Sequence, residues 1–493
     1  MNPPSWFGEL TGYFVYTLFV ATLGPLLFGF HLSELNAPED VIRCKKRSIA
    51  ASHLTTTAAP NLPQCIEMTP TQWGIVGSMY TLGGLIGALS AAPLASRYGR
   101  LRAMHITTLF FTIGPVLEAL SASIAVMAFG RLVSGVGAGA AVVIVPLYIS
   151  EMAPPANKGF FGAFTQIMCN VGILLTQLLG YFLSHDSYWR VILAVGGIIG
   201  LAQALGLLLS AESPKYQAEK GNLALAKSTL RRIRGEHADI DGEMSDWGLD
   251  GSNVSAEEEQ TLLANEGGSP QPASKSSGDQ ASLTIMQVLR HPDYKKAATA
   301  VIMVMLAQQF SGINSIVMYG VSLLAGLLES NSALLNLAVS AVNIVITAGG
   351  APLPDKFGRK PCLLGSIAGM GISALLLAIG IMKSVPVLSA LAVLFFVSSF
   401  ALGLGPVPFI LASELVGPEA VDATQSIALG ANWIATFLVA QFFPLLSAQL
   451  GGKVYLIFAA LSAFFFGFLL WYVPETKGKK SADEVWGRER RVD

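Results

Sequence analysis

The sequence predicts an all-α polytopic membrane protein, with twelve transmembrane helices in two six-helix halves. Three observations carry that prediction: apolar residues clumped into membrane-length blocks, Lys and Arg concentrated in alternate short loops, and an internal repeat of short motifs. Of 493 residues, 52% are hydrophobic and 13% charged, about half the charge of an average soluble chain, and the mean hydropathy is +0.56. So little charge cannot keep a chain of this length in water. A soluble enzyme, a fibrous protein and a nucleic-acid binder are thereby excluded.

Blocks such as residues 17–30, 191–210 and 454–473 reach, with their flanks, the roughly 20 apolar residues a helix needs to cross a bilayer. The spans centre on Leu23, Gly83, Phe111, Gly137, Gly172 and Ile199, then on Leu306, Ile344, Ala374, Val397, Ile434 and Phe464. The blocks lack period-2 alternation, so a β-barrel is excluded. The first block is too long for a cleavable signal peptide and no cleavage site follows it. The division is residues 1–210 for the first half, 211–292 for a linker, 293–473 for the second half and 474–493 for a tail. Arg97, Arg100 and Arg102 lie between spans two and three, and Lys356, Arg359 and Lys360 between spans eight and nine. Positive loops stay in the cytoplasm, which predicts both termini and the linker there. Within the linker, residues 219–234 read as an amphipathic helix with Leu223, Ala226, Leu230 and Ile233 on one face. Residues 239–279 turn acidic, Ser- and Gly-rich and are expected to be disordered.

The repeat is visible in three landmarks. Gly99-Arg100 echoes Gly358-Arg359 at an offset of 259, while Glu151 echoes Glu414 and Glu212 echoes Glu475 at an offset of 263. Parallel halves of this kind carry a substrate site at the midplane between them. Buried amides without partners cost roughly 1–3 kcal/mol, so polar residues inside spans face a cavity or one another. Gln308, Gln309 and Asn314 occupy span seven, where Ser311-Gly312 is expected to interrupt the helix; Gln166, Asn343 and Asn432 sit in spans five, eight and eleven. Amides both donate and accept, which suits the hydroxyls of a neutral cargo. Gln177 and Asn170 read as helix–helix contacts instead.

Taken in order, Asn36-Ala-Pro, Arg97-x-Gly-Arg, Arg131-x-x-x-Gly-x-x-x-Gly, Pro146-x-Tyr-x-x-Glu151, Glu212-Ser-Pro-Lys, Gln308-Gln309-x-Ser-Gly-Ile-Asn314, Gly405-Pro-Val-Pro, Asn432-Trp433 and Pro474-Glu-Thr-Lys-Gly resemble the motifs of the sugar porter family within the major facilitator superfamily. The resemblance covers the transmembrane chain. It implies the major facilitator fold and alternating-access transport of a monosaccharide, with hexose as the expected class and facilitative uniport as the expected mode. It assigns sugar contact to Gln166, Gln308, Gln309, Asn314, Asn343 and Asn432, with His31 beside them, and an aromatic gate to Phe409, Trp433 and Tyr319. It also implies a cytoplasmic charge gate of Arg97, Arg100, Arg131, Glu151, Glu212, Arg359 and Glu414 at helix ends. Ala401 stands where many relatives carry Glu, which puts the hexose identity in question.

His31 stands where proton-coupled relatives carry Asp and facilitative animal relatives carry Asn. Two readings stand: a neutral histidine in place of Asn with Glu34 near the water interface, or a His31–Glu34 pair that carries a proton, since imidazole titrates near neutral pH. A non-transporting sensor or scaffold is a third reading, against which the short tail argues. No phosphate-binding loop is present, no Cys/His spacing suits a metal, and neither a cofactor nor catalysis is expected. Cys44 and Cys65 share the first exoplasmic loop; a disulfide and two free thiols both stand, because spacing does not fix geometry. Glu258, Leu262 and Leu263 in the linker resemble an adaptor-read sorting signal, and the chain resembles fungal family members of vacuolar membranes. A vacuolar or lysosomal membrane is expected, with the plasma membrane as the competitor. The expected partners are a sugar, the lipid bilayer and a sorting adaptor, with the protein acting as a monomer.

Overall fold

A computed structural model describes residues 11–45, 62–235, 240–245, 285–328, 331–479 and 481–487, and among these residues there is no strand. Glu258, Leu262 and Leu263 lie outside the described residues. The first half is built from α1 (Gly12–Ser33), α2 (Pro70–Tyr98), α3 (Arg100–Ala119), α4 (Ile124–Met152), α5 (Lys158–Leu183) and α6 (Trp189–Leu207). The second comprises α7 (Pro292–Phe310), α8 (Ile313–Leu328), α9 (Asn331–Gly350), α10 (Arg359–Met382), α11 (Pro386–Leu402), α12 (Val407–Glu414), α13 (Val421–Leu450) and α14 (Val454–Tyr472). Among the described residues, ten helical stretches are long and apolar enough to cross a membrane. One of them, Ala423–Tyr472, takes in α14 and all of α13 but its first two residues, and α3 is the less apolar span that completes the twelve.

Two spans are broken, each for a chemical reason. Span seven stops at Phe310 and restarts at Ile313; Gly312 between them has φ +100°, a left-handed backbone that favours glycine. Span ten stops at Leu402 and restarts at Val407, across Gly403-Leu-Gly-Pro406, where proline has no N–H for a helical bond. The intact pair α2 and α4 shows the opposite design. A Cβ on Gly83 would stand 2.1 Å from the Leu132 carbonyl, and one on Gly139 would stand 1.9 Å from that of Gly84. Small residues let the two backbones touch, which is how helices hold together in lipid, where apolar burial supplies no drive.

The halves meet where α2 lies against α13 and α5 against α9. At the face holding Cys44 and Cys65, the Asn36 side chain donates to the carbonyl of Val317 at 2.9 Å and accepts from the N–H of Val321 at 2.9 Å. Those two groups, four residues apart, are partners in a regular α-helix. Nearby, Ser78 donates to Gln441 at 2.7 Å. Cys44 and Cys65 form a disulfide. Beside it Arg190 donates to the carbonyls of Pro63, Ala119 and Ser121 at 2.7, 2.7 and 2.8 Å, pinning the loop to the start of α6.

The opposite face carries the short helices Pro214–Glu219 and Leu223–Arg234, the latter burying Ala226, Leu230 and Ile233 as its pattern predicts. Here the sequence repeat becomes a repeat of contacts. Arg100 donates to both oxygens of Glu151, at 2.9 and 2.7 Å, and Arg359 grips Glu414 through Nε and a terminal nitrogen, at 3.1 and 2.8 Å. Glu212 accepts the N–H groups of Arg100 and Leu101 at the start of α3; Glu475 does the same for Arg359 and Lys360 at the start of α10. Anionic side chains suit helix N-termini because the free N–H groups point at them. Burial pushes the Glu212 carboxyl above the usual carboxylate range, and the backbone donors of Ser213, Leu101 and Arg100, with the Arg100 charge, oppose that rise.

Arg100–Glu151 and Arg359–Glu414 each lie within one half, so they brace the halves internally. Two members of the expected gate take no part in these pairs. Arg97 is exposed, with its guanidinium 5.3 Å from the Tyr98 ring, and forms no ion pair among the described residues. Arg131 is not at a helix end on this face: it lies seven residues into α4 from the disulfide face and is fully buried. Family position, rather than counting along α4, had put it in the gate.

Glu151→Ala should destabilise the detergent-solubilised protein by about 3 kcal/mol, because Arg100 would be left buried without its partner. Asp355→Ala removes a carboxylate that also reaches Arg359, but its side chain is 75% exposed, so a loss below about 1 kcal/mol is expected. Thermal unfolding of the two variants measures the contrast. Reducing the Cys44–Cys65 disulfide should also lower the unfolding temperature; closing a loop of this size contributes about 3 kcal/mol in the chain-entropy account.

Candidate functional site

The break between α7 and α8 turns three amides toward one another. Asn314 donates to the Gln309 side-chain oxygen at 2.6 Å, and Gln309 donates to that of Gln308 at 3.2 Å. Asn432 on α13 donates to the same Gln308 oxygen. Gln308 in turn donates to the carbonyls of Leu404 and Gly405, at 2.5 and 3.3 Å. These carbonyls lie in the α11–α12 break, where no helical donor reaches them. Gln308 is thus the hub of a relay that ties three spans of the second half. Each amide has two donor hydrogens and two acceptor lone pairs, so capacity is left for hydroxyl groups.

A second amide group crosses between the halves. Gln166 on α5 and Asn343 on α9 both donate to the Asn170 oxygen, at 3.4 and 3.3 Å. Asn170 donates to Thr347 at 3.0 Å. Sequence reasoning set Asn170 aside as a helix–helix contact, and it is one; it is also what joins Gln166 to Asn343. Only the polarity of its position could have marked it. Gln177 is buried and its side-chain oxygen has no partner.

The three expected gate aromatics stand in different surroundings. Trp433 is buried against the first half, with Phe28 and Tyr80 edge-on at 6.0 and 6.3 Å; the space for its ring exists because residue 84 is glycine. Tyr319 donates to the Ala440 carbonyl at 2.8 Å and stacks on Phe443. Phe409 is 44% exposed. Only Trp433 bridges the halves next to an amide of the relay.

His31 does not join the amides. Its ring is enclosed within the first half, stacked on Phe111 at 5.7 Å, with its Cε1 2.5 Å from where a Cβ of Gly196 would sit. Its Nδ1 lies 2.9 Å from Glu34. Glu34 is not near a water interface: its side chain is fully buried, and Arg131 donates to it at 2.5 Å and to the His31 carbonyl at 2.7 Å. Glu118, which sequence reasoning missed, accepts from Ser134 at 2.6 Å and lies 3.9 Å from Arg131. The guanidinium also rests 4.5 Å from the Tyr80 ring, a cation–π contact strengthened by desolvation. Among the described residues no group of His, Cys, Asp and Glu is arranged to hold a metal ion.

Residues 17–486 match the family model described as "Sugar (and other) transporter". A probable metabolite transport protein of Saccharomyces cerevisiae is 34% identical over 482 residues, covering 97% of this chain and 96% of its own. Vacuolar protein sorting-associated protein 73 of the same yeast is 31% identical, covering 95% of each. The fold matches the inward-open xylose transporter XylE of E. coli with a TM-score of 0.73 at 24% identity, over 96% of this chain and 99% of that one. A multi-pass helical bundle in two halves, with neutral amides between them and a family match spanning nearly its whole length, makes this chain a member of the sugar transporter family with the major facilitator fold.

Proposed function

We propose that the protein carries a neutral monosaccharide of the hexose class across its membrane by alternating access. The observation that supports this reading is the amide relay Asn314–Gln309–Gln308–Asn432, which faces the halves' seam and carries no charge. A carboxylate or amine cargo would require a fixed opposite charge among these groups, and the relay supplies none. Gln166 and Asn343, linked through Asn170 across the seam, are read as the contribution of the other side of the site. Rocking of the halves about the α2–α13 and α5–α9 contacts would open it to each face in turn, with the sugar gradient setting the direction. Both termini are placed in the cytoplasm by the positive-loop rule. A vacuolar-type membrane is favoured by the acidic-dileucine segment at Glu258 to Leu263 and by the name of the second yeast relative.

Vesicles containing the purified protein should take up at least one neutral monosaccharide from a labelled panel with saturation, and no sugar acid. Binding without flux would replace transport by the sensor or scaffold reading. Gln309→Ala removes two of the relay's bonds and should lower kcat/KM for the best substrate by about tenfold or more, since buried unpaired partners cost about 1–3 kcal/mol. Unchanged kcat/KM would place the sugar elsewhere.

A second reading, proton-coupled transport, is favoured by the bond between His31 and Glu34, whose side chains are both fully buried. Under it, an imposed pH gradient should drive sugar accumulation, and His31→Asn should weaken the response. Uptake indifferent to the gradient decides for the facilitative mode.

A further inference from the structure

The first half buries more negative charge than positive. Glu34 and Glu118 are 0% exposed and Arg131 is 1% exposed at the side chain, so two carboxylates share one guanidinium. Arg131 spends its bonds on Glu34 and the His31 carbonyl. Glu118 accepts from the Ser134 hydroxyl, and its Oε2 takes no hydrogen bond but stands 3.9 Å from Arg131, whose bonds go elsewhere. Among the groups around it, His31 and Glu34 come from α1, Tyr80 from α2, and Arg131 and Ser134 from α4. From α6 comes Arg190, whose guanidinium is taken by the carbonyls of Ala119 and Ser121 rather than by the carboxylate. The pocket is built for these side chains: a Cβ on Gly130 would stand 2.6 Å from Glu118 Cγ, and one on Gly114 would stand 2.2 Å from Ser134 Oγ. A second buried carboxylate sharing one cation is far more costly than a neutral acid in the same place.

We propose that Glu118 is the proton carrier of the first half: its carboxyl holds one proton while the cluster is closed and exchanges it with water once per transport cycle. Protonation leaves one anion, Glu34, against one cation, Arg131, and the buried charge balances. Release turns the Glu118 acid into a carboxylate plus a proton taken by water, when opening of the halves admits it. This rests on the proton-coupled mode above and assigns its proton to Glu118 in place of the His31–Glu34 pair.

Infrared spectra of the purified full-length protein in vesicles test it. The wild type should show a protonated-carboxyl band that shifts in D2O, is lost in Glu118→Gln and persists in Glu34→Gln. Ser134→Ala, which keeps the carboxyl but removes its hydroxyl partner, should move the band in frequency, so the assignment stands even if Glu118→Gln folds poorly. With labelled D-glucose as probe, gradient-driven accumulation by the wild type should be lost in Glu118→Gln, whose uptake becomes the same with and without the gradient. A missing band in the wild type, or one that survives in Glu118→Gln, overturns Glu118 as the carrier. A band lost in Glu118→Gln with no gradient effect on wild-type uptake overturns the exchange and makes Glu118 a fixed structural acid. If D-glucose is not taken up under any gradient, the sugar reading fails for that probe, and the infrared results still decide on Glu118.

Discussion

The bilayer around the spans of this molecule offers no hydrogen bonds, and that constraint arranges the polar groups within them. Inside a bilayer every backbone and side-chain polar group must find a protein partner. The Gln308 amide fills the unoccupied carbonyls at Leu404 and Gly405 because the broken helix there cannot. Arg131 is held by α1 through Glu34 and the His31 carbonyl, by α2 through the Tyr80 face, and approached by α3 through Glu118. One guanidinium therefore fixes how four helices of the first half stand together. The glycines follow from the same constraint: where polar side chains occupy the interior, the facing helix must give up its Cβ atoms.

The two halves answer the constraint differently, although they descend to similar contacts on the linker face. The second half gathers neutral amides at its two helix breaks and keeps its charges at the surface. In the first half, unbroken helices pack closely and enclose an ionisable cluster. Arg100–Glu151 and Arg359–Glu414 show that the shared part is a brace on each half, with a carboxylate, Glu212 or Glu475, seated on the next helix start. A cavity of about 720 Å³ lies beside the brace of the second half, between Arg359, Glu414, Tyr294 and Lys477.

Much of this was legible in the sequence. The twelve spans follow from hydropathy, the α7–α8 break from Ser311-Gly312, and the paired braces from the 263-residue echo of Glu151 in Glu414. The amides of span seven were visible as polar residues in an apolar block. Glu118 was not, because a single carboxylate near the end of an apolar block reads as a residue at the lipid–water boundary. Arg131 was misplaced by its motif, although its distance from the start of α4 was available by counting. Asn170 and Trp433 owe their roles to helices that approach from the other half, and periodicity along one helix carries no information about its distant neighbours.

The Asn36 amide has a consequence for the reversibility of the motion. It joins the halves by bonding the Val317 carbonyl and the Val321 N–H, two groups one turn apart on α8. When it withdraws, those two groups are one helical turn apart and can bond to each other. Parting of this seam leaves the two α8 groups to each other on one helix, and the Asn36 side chain is what incoming water must meet. A contact built this way closes firmly yet adds little to the barrier for opening, which is what a carrier that must cycle many times requires of its doors.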